Sequence, residues 1–237
     1  MDTVSSVRLI LVMGLTFCPL TASVVVPALC DASGHPCATS EGDIAVDGFS
    51  SVGKYQEIFD QSAFPGPIMI RSMWFRRDIT GSSFDTTFDL EVLLVATPHD
   101  VLLSQYYVTN YGGFTPTVVF DDTVHLVSSS IGTPRPFDVG ITFSTPFLYT
   151  PGTSEAPSNL LLEIRNATPH SIILDGVNDE FHGQRVQHLH GNSGDDWDPP
   201  YSSGMVIEFS GDAVPEPATA LLLLGGLTAL WMRRRLN

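Results

Sequence analysis

Phe88-Asp89-Leu90-Glu91-Val92 alternates apolar with acidic residues, and Leu93-Leu94-Val95 follows without a polar break. Side chains alternate faces along a strand, so the first five residues describe a strand with one dry face and one wet face. The next three are apolar on both faces, as a buried central strand is. Between Val24 and Ala213 no stretch sustains a helical period long enough to compete with this pattern.

The period of two recurs on both sides. Asp43 to Ser50 and Gly53 to Phe59 read as short strands. Pro67 to Arg77 is longer, with Ile68, Ile70, Ser72 and Trp74 on one face and Met69, Arg71, Met73 and Phe75 on the other. Thr117 to Val127, Phe137 to Phe143, Leu160 to Arg165, Ser171 to Leu174 and Gly204 to Phe209 continue the set. Gly132-Thr133-Pro134-Arg135-Pro136 and Pro151-Gly152-Thr153-Ser154 are turn chemistry. Asp100 to Asn110 has room for one helical turn. About eight to ten short strands with Gly/Pro turns predict an all-β fold, an antiparallel β-sandwich of jelly-roll type.

Both ends of the chain differ from this middle. Met1 to Ser23 has the parts of a secretory signal peptide: Arg8, the apolar run Leu9 to Phe17, the breaker Pro19, and small residues Thr21-Ala22-Ser23 for cleavage after Ala22 or Ser23. At the other end stand Val214-Pro215-Glu216-Pro217, then Ala218 to Met232 with neither charge nor proline, then Arg233-Arg234-Arg235. The prolines force extended backbone. The apolar run is 15 residues, below the ~20 of a standard span, yet apolar all round and closed by a cationic stop. The expected units are residues 1–23, 24–213 and 214–237.

This tail resembles the PEP-CTERM sorting signal of Gram-negative bacteria, over Val214 to Asn237. The resemblance implies export, brief anchoring in the membrane through the C-terminal helix, and recognition by an exosortase, a membrane cysteine protease that cleaves near the motif. It also implies a link to exopolysaccharide. Tyr55 to Asp60, Ile70 to Arg76, Pro146 to Tyr149 and Leu160 to Ile164 look like segments of other exported β-sandwich proteins that carry this tail.

The middle, Val24 to Ala213, holds 7 basic and 24 acidic residues, a net charge of −17. Nucleic-acid phosphates need cations, so such a surface argues against a nucleic-acid partner. It suits solubility by self-repulsion, or divalent cations. Cys30 and Cys37 remain once Cys18 leaves with the leader. In an oxidising compartment they are expected to pair. With His35 between them they are still one ligand short of a closed zinc site.

Three constellations bear on function. His182, His188 and His190 are candidate metal ligands, because His188 and His190 would face one way on a strand. The same run in a Gly/Asn/Asp-rich segment also reads as a solvated turn. Such a metal site also needs a ligand from a distant strand, for which His125 and His170 are the candidates. Asp121-Asp122 and Asp195, Asp196 and Asp198 offer oxygens that calcium takes, and equally are ordinary turn formers. Tyr106, Tyr107, Tyr111 and Phe114, with Trp197 and Tyr201, offer rings on which sugars stack, or else plug the edge of the core. No catalytic constellation stands out: there is no Gly-x-Ser-x-Gly elbow, P-loop or HExxH. The expectation is a non-catalytic surface or matrix protein that binds carbohydrate, with no cofactor beyond calcium. The alternative is a metal-dependent or acid/base enzyme acting on polysaccharide through His182, His188 and His190.

Overall fold

The computed structural model describes residues 21–30, 35–47, 49, 53–98, 103–104, 106–153, 156, 158–178, 203–214 and the backbone of 186–192. Most of the leader (residues 1–20), the motif from Pro215 onward, the apolar run and Arg233 to Arg235 lie outside the described residues, as do His182, Trp197, Tyr201 and Asp195, Asp196 and Asp198. Among the described residues no helix is long and apolar enough to cross a membrane.

The described residues form an all-β, sandwich-like structure of antiparallel sheets. In chain order the strands are β1 (Thr21–Val26), β2 (Ile44–Asp47), β3 (Gly53–Phe59), β4 (Ile68–Phe75), β5 (Phe84–Thr97), β6 (Thr117–Ser128), β7 (Val139–Tyr149), β8 (Asn159–Asn166), β9 (Ile173–Asn178), β10 (Val186–Asn192), β11 (Ser203–Met205) and β12 (Ile207–Ala213). One sheet has the order β1-β12-β4-β7, the second β10-β3-β8-β5-β6, and a small third β11-β9-β2. A single helical turn, α1 (Tyr107–Asn110), interrupts the connection from β5 to β6.

The two larger sheets share one core. Ile70, Met73, Phe75, Ile141 and Phe209 from the first pack with Tyr55, Phe59, Phe88, Leu90, Leu162 and Ile164 from the second, all buried. Phe59 meets Phe209 edge-on at 5.7 Å between ring centres, a preferred geometry for aromatic pairs. β5 runs through the second sheet between β8 and β6, paired on both sides. Its Leu93-Leu94-Val95 segment is buried on both faces, which is why alternation lapses there.

Strict alternation fails in β4. The pairing of β4 with both neighbours shifts between Ile70 and Ser72, leaving Arg71 unpaired in the ladder. This bulge changes the parity of the strand. The buried face is therefore Ile68, Ile70, Met73 and Phe75, not the set that unbroken alternation predicts. Arg71 turns to solvent and meets Asp212 at 2.6 Å. On β12 a Cβ at Gly211 would stand 1.9 Å from the Met69 carbonyl oxygen, so the bulge requires glycine there. β7 bulges too: Phe147 pairs with Ile70 while Thr142 pairs with Ser72. Pro146 sits in that excursion, on an edge strand, where a missing N–H is tolerated. The strand therefore runs past Phe143 to Tyr149.

Two strands escape the sequence pattern. β1 begins at Thr21 and pairs along β12, with Thr21 opposite Asp212, so the expected cleavage positions fall within it. β10 occupies the segment whose histidines also read as a solvated turn, and pairs along the whole of β3. The last described backbone contact is from Val214 N–H to the Pro67 carbonyl at 3.1 Å.

Candidate functional site

On β3, Tyr55, Glu57 and Phe59 alternate with Lys54, Gln56 and Ile58. The first row includes core residues, so the second marks the outer face of the sheet. That face is half covered. Ile58, Val95 and Leu161 are roofed by Leu103 and Tyr107 from the β5–β6 connection, with Tyr111 packed alongside. Asn110, fully buried, fastens the roof: its Nδ2 donates to Gln56 Oε1 and to the Ser104 carbonyl, both at 2.9 Å. Its own carbonyl accepts from Thr97 Oγ1 at 3.0 Å.

A polar row marks the border of the roof. Glu163 on β8, almost wholly buried, accepts from Gln56 Nε2, Tyr111 Oη and Arg165 Nε, each at 2.5 Å. Arg165 spends a second donor on Glu91 of β5, also at 2.5 Å. A buried carboxyl needs hydrogen-bond donors to offset its lost hydration, and this one has three.

Beyond the row lies the open half, a groove of about 460 Å³ lined by Lys54, Asp89, Glu91, Asp121, Arg165 and Asn166, among others. Its floor is rigid sheet, and its groups include carboxylates, a guanidinium, an amide and an ammonium. That mixture can give and accept hydrogen bonds with hydroxyl-rich ligands. Acids outnumber bases, so an anionic ligand is disfavoured.

The aromatic set divides. Tyr107 is buried and roofs the sheet, with the Lys54 ammonium 5.7 Å above its ring. Tyr111 is half-buried and tied to the polar row. Tyr106 and Phe114 are exposed.

Burial, then the hydrogen bond and charge of Glu163, push the Tyr111 hydroxyl up from 10.0 to about 12, with Arg165 pulling the other way. The folded value lies above the unfolded one. The contribution of this phenol to stability is therefore fully present below pH 10 and lost as pH rises through about 12. In a difference titration of tyrosinate absorbance, wild type minus Tyr111→Phe should show a midpoint near pH 12; one near pH 10 would mean that the roof is not fastened as described.

The expected metal and calcium residues are dispersed. Asp121 and Asp122 lie on β6, not in a loop, and successive strand residues face opposite sides. Asp121 lines the groove, while Asp122 Oδ1 accepts from the Thr123 amide. His125, also on β6, pairs with Asp85 at 2.6 Å. It stands four strands from β10, about 19 Å at the usual spacing, so it is not the missing ligand. His170 lends its carbonyl to Asn166. Among the described side chains no three His, Cys, Asp or Glu groups gather as a metal site. The backbone of His188 and His190 lies on β10, opposite Glu57 and Tyr55.

Several buried ionisable groups went unmarked by sequence, since nothing local flags a buried Arg or Glu; Arg76 and Glu57 are two of them. Arg76, just past β4, is fully buried. Its Nε donates to Asp175 of β9 at 2.6 Å, and its Nη1 to the Cys37 carbonyl at 2.7 Å. Nη2 reaches the Ser40 carbonyl and lies 3.5 Å from Cys30 Sγ, and the guanidinium stands 5.0 Å over the Phe137 ring. Cys30 and Cys37 are joined by a disulfide. Burial pushes the Asp175 carboxyl up to about 7, against the pull of Arg76. Glu57, the second group, is also fully buried. Burial holds its carboxyl well above the ordinary range, against hydrogen bonds from Tyr55 and the Met205 backbone.

No family model, no curated protein and no solved structure matches this chain.

Proposed function

We propose that this chain is an exported protein of the cell surface or exopolysaccharide matrix, and that its sandwich is a jelly roll that binds carbohydrate. Strand order supports the jelly roll: β1-β12-β4-β7 and β3-β8-β5-β6 are its two four-strand orders, with the chain crossing between these sheets at each step except from β5 to β6. Export is supported by the leader-like start, the PEP-CTERM-like tail and the disulfide, a bond that persists in oxidising compartments. The tail would anchor the chain in the membrane until an exosortase cuts near Val214-Pro215-Glu216-Pro217. The polypeptide acts as a binding module and not as an enzyme.

The groove carries the binding reading. Lys54, Asp89, Asp121 and Arg165 take hydroxyls, and Tyr111 supplies a ring at the border. With the acids in excess, the favoured ligands are neutral or amino-sugar polymers, not uronates. The test is gel retardation and calorimetry of the exported protein with neutral, amino and uronate polysaccharides. Lys54→Ala and Asp121→Ala are expected to weaken binding of the preferred polymer by about tenfold each, the loss of a single good hydrogen bond. Absence of affinity for any of the three polymers removes the binding role.

A further inference from the structure

Trp74 owes its position to the bulge in β4. Past Arg71 the parity of the strand is reversed, so Met73 and Phe75 enter the core while Ser72 and Trp74 turn to the outer face of the first sheet. There Trp74 pairs with Gly140 of β7. A Cβ at Gly140 would stand 2.2 Å from Cε3, 2.2 Å from Cζ3 and 2.7 Å from Cη2 of the indole. Such similar distances to three successive ring atoms place that point over the ring face, since an approach from the edge would leave the third atom much farther off. The indole therefore lies flat on the sheet, and only glycine leaves room beneath it. Its Nε1 is already engaged, donating to Ser72 Oγ at 3.1 Å. Trp74 is half-buried: one face of the ring rests on β7 and the other is turned away from the sheet.

The neighbours of the ring carry hydroxyls. Register sets Thr142, Ser72 and Ser210 side by side on β7, β4 and β12, on one face of three adjacent strands. The Thr142 and Ser210 hydroxyls have no protein partner among the described residues. Glu208 of β12 stands opposite Trp74, and its carboxylate accepts from Ser23. Next to the row a hollow of about 360 Å³ is lined by Ser72, Ser210, Arg71 and Asp212, among others. Arg71 and Asp212 pair with each other, so this face offers an anionic ligand no unpaired cation among the described residues.

We propose that the outer face of the first sheet, centred on Trp74, binds a flat, neutral, β-linked glycan. A pyranose ring with equatorial hydroxyls presents an apolar face, which stacks on the open side of the indole. The hydroxyls at its rim exchange hydrogen bonds with Thr142, Ser210 and Glu208. Curved α-linked chains would meet so flat a face over one unit only. The groove lies on the second sheet, across the core, and shares no residue with this face. The Trp74 site therefore stands whether or not the groove binds.

Covering an edge glycine with an aromatic ring also stabilises a sheet, but that role concerns folding alone. The test titrates the exported protein with cellohexaose, and with maltohexaose as the α-linked control, following heat and indole fluorescence. Saturable binding of cellohexaose is expected, weakened about tenfold or more by Trp74→Ala and unchanged by Lys54→Ala, with maltohexaose weaker by a similar factor. If Trp74→Ala fails to fold, Thr142→Ala with Ser210→Ala decides, because it leaves the ring in place: affinity should fall about tenfold with the unfolding midpoint kept. Failure of the wild type to bind cellohexaose overturns the proposal. So does a folded Trp74→Ala with a lower unfolding midpoint and full affinity, which would mean that the ring only covers the glycine. Binding lost in Lys54→Ala and kept in Trp74→Ala would assign the ligand to the groove instead; the reverse keeps this face and removes the groove.

Discussion

Arg76→Met is expected to lower the free energy of unfolding by about 3–5 kcal/mol, the cost of breaking a buried ion pair from one side. The guanidinium has no exposed surface and serves three groups at once: the Asp175 carboxylate and the carbonyls of Cys37 and Ser40. Methionine fills the volume and supplies none of those donors. Among the described residues Asp175 then keeps the Gly42 amide, at 2.8 Å, as its side-chain donor. A second change separates charge from shape. Asp175→Leu in the Arg76→Met background should recover much of the loss, since a buried pair replaced on both sides by apolar groups is often near neutral. Urea unfolding of the two variants gives both numbers. A single variant within about 1 kcal/mol of wild type would place Arg76 with surface pairs.

Removing the disulfide by Cys30→Ser with Cys37→Ser should cost about 2–3 kcal/mol from loop entropy alone, for a separation of seven residues. The cost should exceed that figure, because the closed loop also presents the Cys37 carbonyl to Arg76. The two changes should therefore be non-additive: once Arg76 is methionine, cutting the disulfide should cost less. A double-mutant cycle measured with and without reductant reads this coupling directly. Simple additivity would mean that the loop and the guanidinium act independently.

The period of two was legible across most strands because each has one wet face. Gly53 to Phe59 matches β3 residue for residue. Alternation carries no record of bulges, however, so the face of β4 changes at Arg71 without any local sign beyond Gly211, which lies far along the chain. β10 was obscured because histidine and glutamine are poor strand markers, and its partner β3 is more than a hundred residues earlier. The groove was partly legible: Asp89, Glu91 and Arg165 stand out as the polar half of alternating strands. Their convergence with Lys54 and Asp121 depends on the order of five strands, which no local pattern specifies. Tyr107 and Tyr111 differ by one turn of helix, and only the roof over Ile58 and Leu161 decides which ring is hidden.

Thr21 stands opposite Asp212, and Val214 is hydrogen-bonded beside Ile68 through Pro67. The polypeptide thus enters and leaves the sandwich through one doorway. Whatever moors the chain, at its front or its rear, holds it by the same pole. Lys54 and Asn166 lie at the start of β3 and the end of β8, toward the far pole. A molecule moored at either end would turn that end of its groove outward.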